Sequence, residues 1–165
     1  MTHYYRYYVL VMLTVVSMIN IMDRLILSIL LEDIKAEFTF TDTQLGVLAG
    51  LAFALFYALM SIPIARWADI SNRKNILAAA LIIWSGMTAL CGAATGFVSL
   101  FLARLGVGIG EAGGSPPSYS IIADYFKPSE RARAMGVYVT GSVLGTGGGL
   151  IVGGLLGEWL GWRMT

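Results

Sequence analysis

Five mostly apolar stretches, each roughly 20 residues or longer, make up most of this 165-residue chain. They run over residues 7–31, 45–65, 76–95, 98–125 and 134–157. A helix of about 20 apolar residues spans the ~30 Å hydrocarbon core of a bilayer. Inside lipid every backbone amide must find a partner, so only helices and closed barrels can cross. No stretch alternates at period 2, which argues against a barrel. The expected fold is an all-α polytopic membrane helix bundle, with spans at the five ranges above.

Composition supports a membrane class and excludes others. Charged residues are 13% of the chain, against about 25% in soluble proteins. The net charge of +1 gives no reason to expect a nucleic-acid partner. The single cysteine, Cys91, forms neither an internal disulfide nor a metal site, and no cofactor or metal is expected. The first apolar run is too long for a signal-peptide core. The only histidine, His3, lies outside the spans, so zinc or Ser–His chemistry lacks parts. No catalytic residue is assigned and the chain reads as a non-enzyme. A carboxylate-only intramembrane enzyme is the one enzymatic alternative left.

Loop charge sets an orientation. Arg6, Arg66, Arg73, Lys74, Lys127, Arg131 and Arg133 fall on one side of the five spans. Lys35 and Arg163 fall on the other, beside Glu32, Asp33, Glu37 and Asp42. The positive-inside rule places the N-terminus and both basic loops in the cytoplasm; the expected location is the plasma (cell inner) membrane. Interfacial aromatics agree: Tyr4, Tyr5, Tyr7 and Tyr8 inside, Trp159 and Trp162 outside.

Four ionisable residues lie within the spans: Asp23 and Arg24 in the first, Arg104 and Glu111 in the fourth. Each costs at least ~2.5 kcal/mol at mid-bilayer, so such groups face a cavity and pair. They are either a structural ion pair or a substrate and proton site. Neighbours in sequence point about 100° apart on a helix, so Asp23 and Arg24 need separate partners. Counting 1.5 Å per residue, Asp23 lies about 12 Å and Arg104 about 9 Å below the outer surface. Those depths predict an Asp23–Arg104 pair, direct or through water. Glu111 lies nearly two turns deeper on much the same face. Desolvation there disfavours a charged carboxylate, as proton coupling requires. Pro116 and Pro117 follow Gly113 and Gly114 and predict a bend beside Glu111.

Glycines Gly141, Gly145, Gly149, Gly153 and Gly157 recur every four residues in the fifth span. Such a stripe lets another helix backbone come close, for static packing or for sliding between bundles. Gly108, Gly110 and Gly113 fit GxGxxG, but no strand precedes them, so a dinucleotide site is not expected.

Three motifs resemble those of the major facilitator superfamily. Residues 65–74 (ARWADISNRK) are similar to its GxLADRxGRK signature, keeping Asp69, Arg73 and Lys74. Ala65, Trp67, Ile70 and Asn72 depart from it. The resemblance implies a cytoplasmic gate latch, with Asp124 and Arg131 as partners. Arg104, Gly108 and Gly110 match RxxxGxG, whose arginine the family links to proton coupling. Gly136, Gly145, Gly149, Gly153 and Gly154 match the glycines of the span-five motif, and imply helix packing. Leu150 replaces its proline, so the antiporter role tied to that motif is not carried over. Asn20 with Asp23-Arg24, and the run RLGVGIGEA from Arg104, are similar to spinster-like members, which are associated with amphiphilic lipids. The Asp-Arg pair also resembles the branch that carries sugar acids.

The resemblance implies the first five helices of twelve. Five spans is an odd number for a carrier of repeated bundles, so the sequence reads as truncated after a stub of a sixth helix, with a C-terminal helical bundle missing. The expected function is secondary active transport, proton-coupled by symport or antiport, of an organic anion or amphiphilic lipid-like substrate through alternating access. Asp23 and Glu111 are the expected proton-coupling groups. Asn20, Arg24, Arg104 and Tyr57 are expected at the substrate cavity. Asp69, Arg73, Lys74, Asp124 and Arg131 are expected at the cytoplasmic gate. The rival is a truncated, non-transporting half-transporter with an assembly or regulatory role. Partners on the first reading are substrate, protons and the lipid bilayer.

Overall fold

A computed structural model describes residues 3–165. Among these residues the chain is all helix and turn, and five helical segments are long and apolar enough to cross a membrane. The first is α1 (His3–Phe38). The second is α2 (Asp42–Gly46), a π-helical turn (Val47–Leu51) and α3 (Ala52–Ile70). The third is α4 (Arg73–Gly92). The fourth divides into α5 (Phe97–Ala112) and α6 (Ser115–Tyr125). The fifth is α7 (Pro128–Leu160).

Most segments run past the apolar stretches that predict them. Hydropathy measures hydrocarbon thickness, whereas a helix continues as long as its backbone bonds do. Thus α1 continues through Glu32, Asp33, Lys35 and Glu37 to Phe38. The fourth span breaks at Gly113–Gly114 and restarts with Pro116 and Pro117 in its first turn, where missing amide donors cost little. Residues 161–165, where the sequence suggests the stub of a sixth helix, form a turn that folds back on the bundle.

Packing follows the glycines. The helix α1 lies against α7, and α5 against α4 and α3. A Cβ on Gly141 would strike the Thr14 carbonyl, and one on Gly145 the Met18 carbonyl. Gly149 meets Met22 and Leu25, Gly153 meets Ile26 and Ile29, and Gly157 meets Leu30. Contacts rise together along both helices, so α1 and α7 run parallel, as first and fifth spans must. Ser17 and Ser142 share a 2.9 Å hydroxyl bond across this seam. Gly136 and Gly154 depart from the expected packing role: a Cβ on either meets nothing within 4 Å. They lie off the i, i+4 row that faces α1, so the motif glycines divide between two faces.

A second glycine row serves α5. Gly106, Gly110 and Gly113 face Met87, Trp84 and Ala80 of α4, in antiparallel order. A Cβ at Gly110 would lie 2.6 Å from the Trp84 backbone nitrogen. Gly108 faces α3, where a Cβ would lie 3.2 Å from the Phe53 carbonyl. These contacts give the GxGxxG match a packing role.

Gly145→Val should destabilise the bundle by about 1–3 kcal/mol through overpacking, whereas Gly154→Ala should stay within about 0.5 kcal/mol. Thermal loss of the monodisperse peak in detergent measures both. Equal effects would mean that the α1–α7 seam does not depend on the stripe.

Candidate functional site

Four charged side chains meet inside the bundle. Arg24 of α1 donates from Nε to Oε2 of Glu111 on α5 at 2.5 Å. The neighbouring Asp23 turns the other way, toward α4. Its Oδ2 accepts from Trp84 Nε1 at 3.1 Å and from the Thr88 hydroxyl at 3.4 Å. Arg104 Nη1 lies 4.0 Å from that oxygen. The separation fits an ion pair and exceeds direct hydrogen-bond range. The approach expected from matched depths is present, and a second pair, Arg24–Glu111, stands beside it.

Phe53 lies between the two pairs. The Arg24 and Arg104 guanidinium carbons are 4.8 Å and 5.3 Å from its ring centroid. Tyr57, one turn along α3, meets Arg24 at 4.7 Å. An aromatic face attracts a cation by roughly 0.5–2 kcal/mol, more when desolvated. The rings therefore hold two like-charged groups close together. Their position depends on glycine: Gly108 admits the Phe53 backbone, and Gly110 admits the Trp84 backbone whose indole reaches Asp23.

Burial makes the cluster electrostatically exacting. Glu111 is 1% exposed and Arg104 3%. Glu111 Oε1 and Arg104 Nε have no hydrogen-bond partner among the described residues. Each buried polar atom left unmet costs about 1–3 kcal/mol. Glu111 Oε1 can still accept a hydrogen bond, and Arg104 Nε can still donate one. Arg24 keeps a side-chain exposure of 29%, so it alone of the two arginines can meet a ligand from solvent without rearrangement. Asn20 is half-buried one turn before Arg24 on the same helix.

The groups expected at the gate gather at the other end of the bundle. Arg73 bonds Asp124, joining the start of α4 to the end of α6. Arg131 caps α6 by donating to the carbonyls of Ala123 at 2.9 Å and Phe126 at 3.2 Å. Asp69 and Lys74 are exposed, and no Asp69–Arg131 bond forms, because Arg131 is taken up by the α6 carbonyls. Arg6 holds both oxygens of Glu130 at 2.9 and 3.3 Å, tying α1 to α7. Sequence reading missed that tie, although Glu130 stands three residues after Lys127, where a helix-start carboxylate belongs. It also missed Phe53, Trp84 and Thr88, which look like ordinary apolar-run residues until helix rotation is known.

Arg24→Gln should cost up to about 3 kcal/mol, because the Glu111 carboxylate is left buried and uncompensated, and Glu111→Gln should cost less, because Arg24 keeps a solvent-exposed edge. The double variant should cost at least ~1 kcal/mol less than the sum. Thermal stability of the four proteins in detergent measures this, and strict additivity would mean the pair is not coupled.

Comparisons with known proteins agree with this architecture. The sequence pattern of the Major Facilitator Superfamily matches residues 13–165. An MFS-type efflux pump of Mycolicibacterium smegmatis is 38% identical over 151 residues, covering 92% of this chain and 35% of that protein. A hexuronate transporter of Bacillus subtilis is 32% identical over 149 residues, covering 90% of this chain and 34% of its own length. A crystal structure of a bacterial homolog to the human lysosomal transporter Spinster, inward-facing and occupied, superposes with a TM-score of 0.92 at 46% identity. That match covers 96% of this chain and 34% of the other. The chain thus spans about a third of the length of these relatives. Its motifs, its five membrane-spanning helices and these likenesses together place it in the major facilitator superfamily, to which this chain belongs.

Proposed function

We propose that this chain forms the front bundle of a secondary active carrier that couples protons to an organic anion or to an amphiphilic lipid-like molecule with an anionic head. The observation that carries the reading is the Arg24–Glu111 pair, in which one carboxylate oxygen holds the guanidinium and the other is buried without a partner. The efflux pump and the hexuronate transporter among the relatives, and the occupied Spinster homolog, support the carrier reading.

The geometry suggests how coupling works. Arg24 serves either Glu111 or an incoming anion. Protonation of Glu111 removes its charge and releases the guanidinium to the substrate. Loss of the proton returns Arg24 to the carboxylate and expels the anion. Asp23 and Arg104 form the second pair, which sets the charge balance behind Phe53. Asn20 and Tyr57 line the approach to Arg24. At the basic end, the Arg73–Asp124 bond closes the bundle and opens as the carrier alternates, with Asp69, Lys74 and Arg131 beside it.

On this reading the N-terminus and the basic loops face the cytoplasm, in the plasma (cell inner) membrane. A further helical bundle, beyond the third of the relatives' length spanned here, completes the cavity.

In a full-length carrier containing this chain, Glu111→Gln should abolish proton-driven uptake while leaving anion binding intact and no longer pH-dependent. Arg24→Gln should weaken anion binding by tenfold or more, a loss of about 1.4 kcal/mol. Uptake into proteoliposomes under an imposed proton gradient, with binding by calorimetry, measures both. Unchanged proton-driven uptake in Glu111→Gln would overturn the coupling role.

A further inference from the structure

The end of the bundle opposite the N-terminus is fastened by one arginine. Arg163 donates to Glu37 Oε1 from Nη2 at 2.6 Å and from Nε at 3.1 Å. Its Nη1 donates to the carbonyls of Gly92 at 2.8 Å and Ala94 at 2.7 Å. Trp162 adds a 2.6 Å bond from its indole nitrogen to Glu37 Oε2. The guanidinium also lies 4.4 Å from the Trp162 ring centroid and 5.4 Å from that of Phe38. This clasp ties the end of α1 to the end of α4, the start of the α4–α5 turn and the segment after α7. Charge-assisted bonds of this kind are roughly twice as strong as neutral ones.

Beneath the clasp lies a cavity of about 80 Å³. Its polar wall is Asp23, Thr88, Cys91 and Arg104, and Trp162, Arg163 and Thr165 line it on the clasp side. Arg104 is nearly fully buried, its Nε has no hydrogen-bond partner among the described residues, and its Nη1 lies 4.0 Å from Asp23 Oδ2. A buried guanidinium in that position has an unmet donor, and a polar gap beyond 3.5 Å is one that a water can bridge. The volume is ample for water, since about 10–15 Å³ of such space holds one molecule.

We propose that this chamber is a water site that completes the hydrogen bonding of Arg104, links it to Asp23, and is shut toward the adjacent membrane face by the Glu37–Trp162–Arg163 clasp. The chamber is walled by α1, α4 and α5, and neither Arg24 nor Glu111 lines it. Asp23 therefore has its own hydration, separate from the surface that meets substrate. This deepens the carrier reading, on which it rests for its use in transport; the site itself is tested without transport.

Cys91, on the chamber wall, serves as the reporter in a full-length carrier that keeps it as the only cysteine. Radiolytic footprinting, which oxidises side chains next to bound water, should modify Cys91 in the wild-type protein. A membrane-impermeant methanethiosulfonate applied from the outer side should label Cys91 slowly in wild type. Labelling should be about tenfold faster or more in Arg163→Gln and Glu37→Gln, as expected when a charge-assisted bond worth ~1.5 kcal/mol is lost. Trp162→Phe, which removes only the indole donor, should give an intermediate rate if Arg163→Gln does not fold. Lys35→Gln breaks the neighbouring Lys35–Asp42 pair without touching the chamber and should label at the wild-type rate. Absence of radiolytic oxidation at Cys91 would overturn the water site. Equal labelling of wild type and clasp variants, or equal acceleration by Lys35→Gln, would overturn the closure.

Discussion

Hydrocarbon offers an ionised side chain neither water nor counter-charge, so each charge in the bundle interior has to be met by another helix. The Arg24–Glu111 bond is the point where this constraint is most severe, with the carboxylate side chain wholly buried. Much of the rest of the structure serves to make that contact possible. The α1–α7 seam sets the rotation of α1, and with it the divergent directions of Asp23 and Arg24. The α5 glycines draw α3 and α4 in close, and so deliver Phe53 between the arginines and Trp84 to Asp23. Removing side chains from α5 is what lets the charged side chains of α1 and α5 be enclosed.

The two ends of the bundle are tied differently. At the N-terminal end, the ties Arg6–Glu130 and Arg73–Asp124 each join two helices and involve partly exposed groups. Exposed pairs contribute little stability, about 0–1 kcal/mol, and open readily. That suits a gate. At the other end Arg163 satisfies two backbone carbonyls and a carboxylate at once. A knot of several bonds from one guanidinium holds several helix ends together and suits a bundle that moves as one body.

The architecture was legible because membrane crossing imposes a length on apolar runs: each run overlaps one helical segment, although the third ends at Gly92, short of the expected residue 95, and the fourth breaks at Gly113–Gly114. The break beside Glu111 was legible from Pro116 and Pro117, since proline cannot continue a backbone ladder. The π-helical turn at Val47–Leu51 was not, because nothing in VLAGL forbids an ordinary helix there. Helix depth predicted the approach of Asp23 to Arg104, since rise per residue is fixed. Rotation about each helix axis is set by packing, so the assignment of Glu111 to Arg24 and the place of Phe53 could not be read from spacing. The latch motif was half legible: Arg73 meets Asp124, while Arg131 turns to carbonyls that sequence does not display.

The central claim is that Glu111 exchanges a proton for its hold on Arg24. Infrared difference spectroscopy of a full-length carrier, taken while the sample is acidified through the range in which it works, tests this directly. The account predicts a new carbonyl stretch of a protonated carboxyl, absent in Glu111→Gln and shifted in position or midpoint in Arg24→Gln. A band that persists unchanged in Glu111→Gln, or no carboxyl band anywhere in that range, would contradict it.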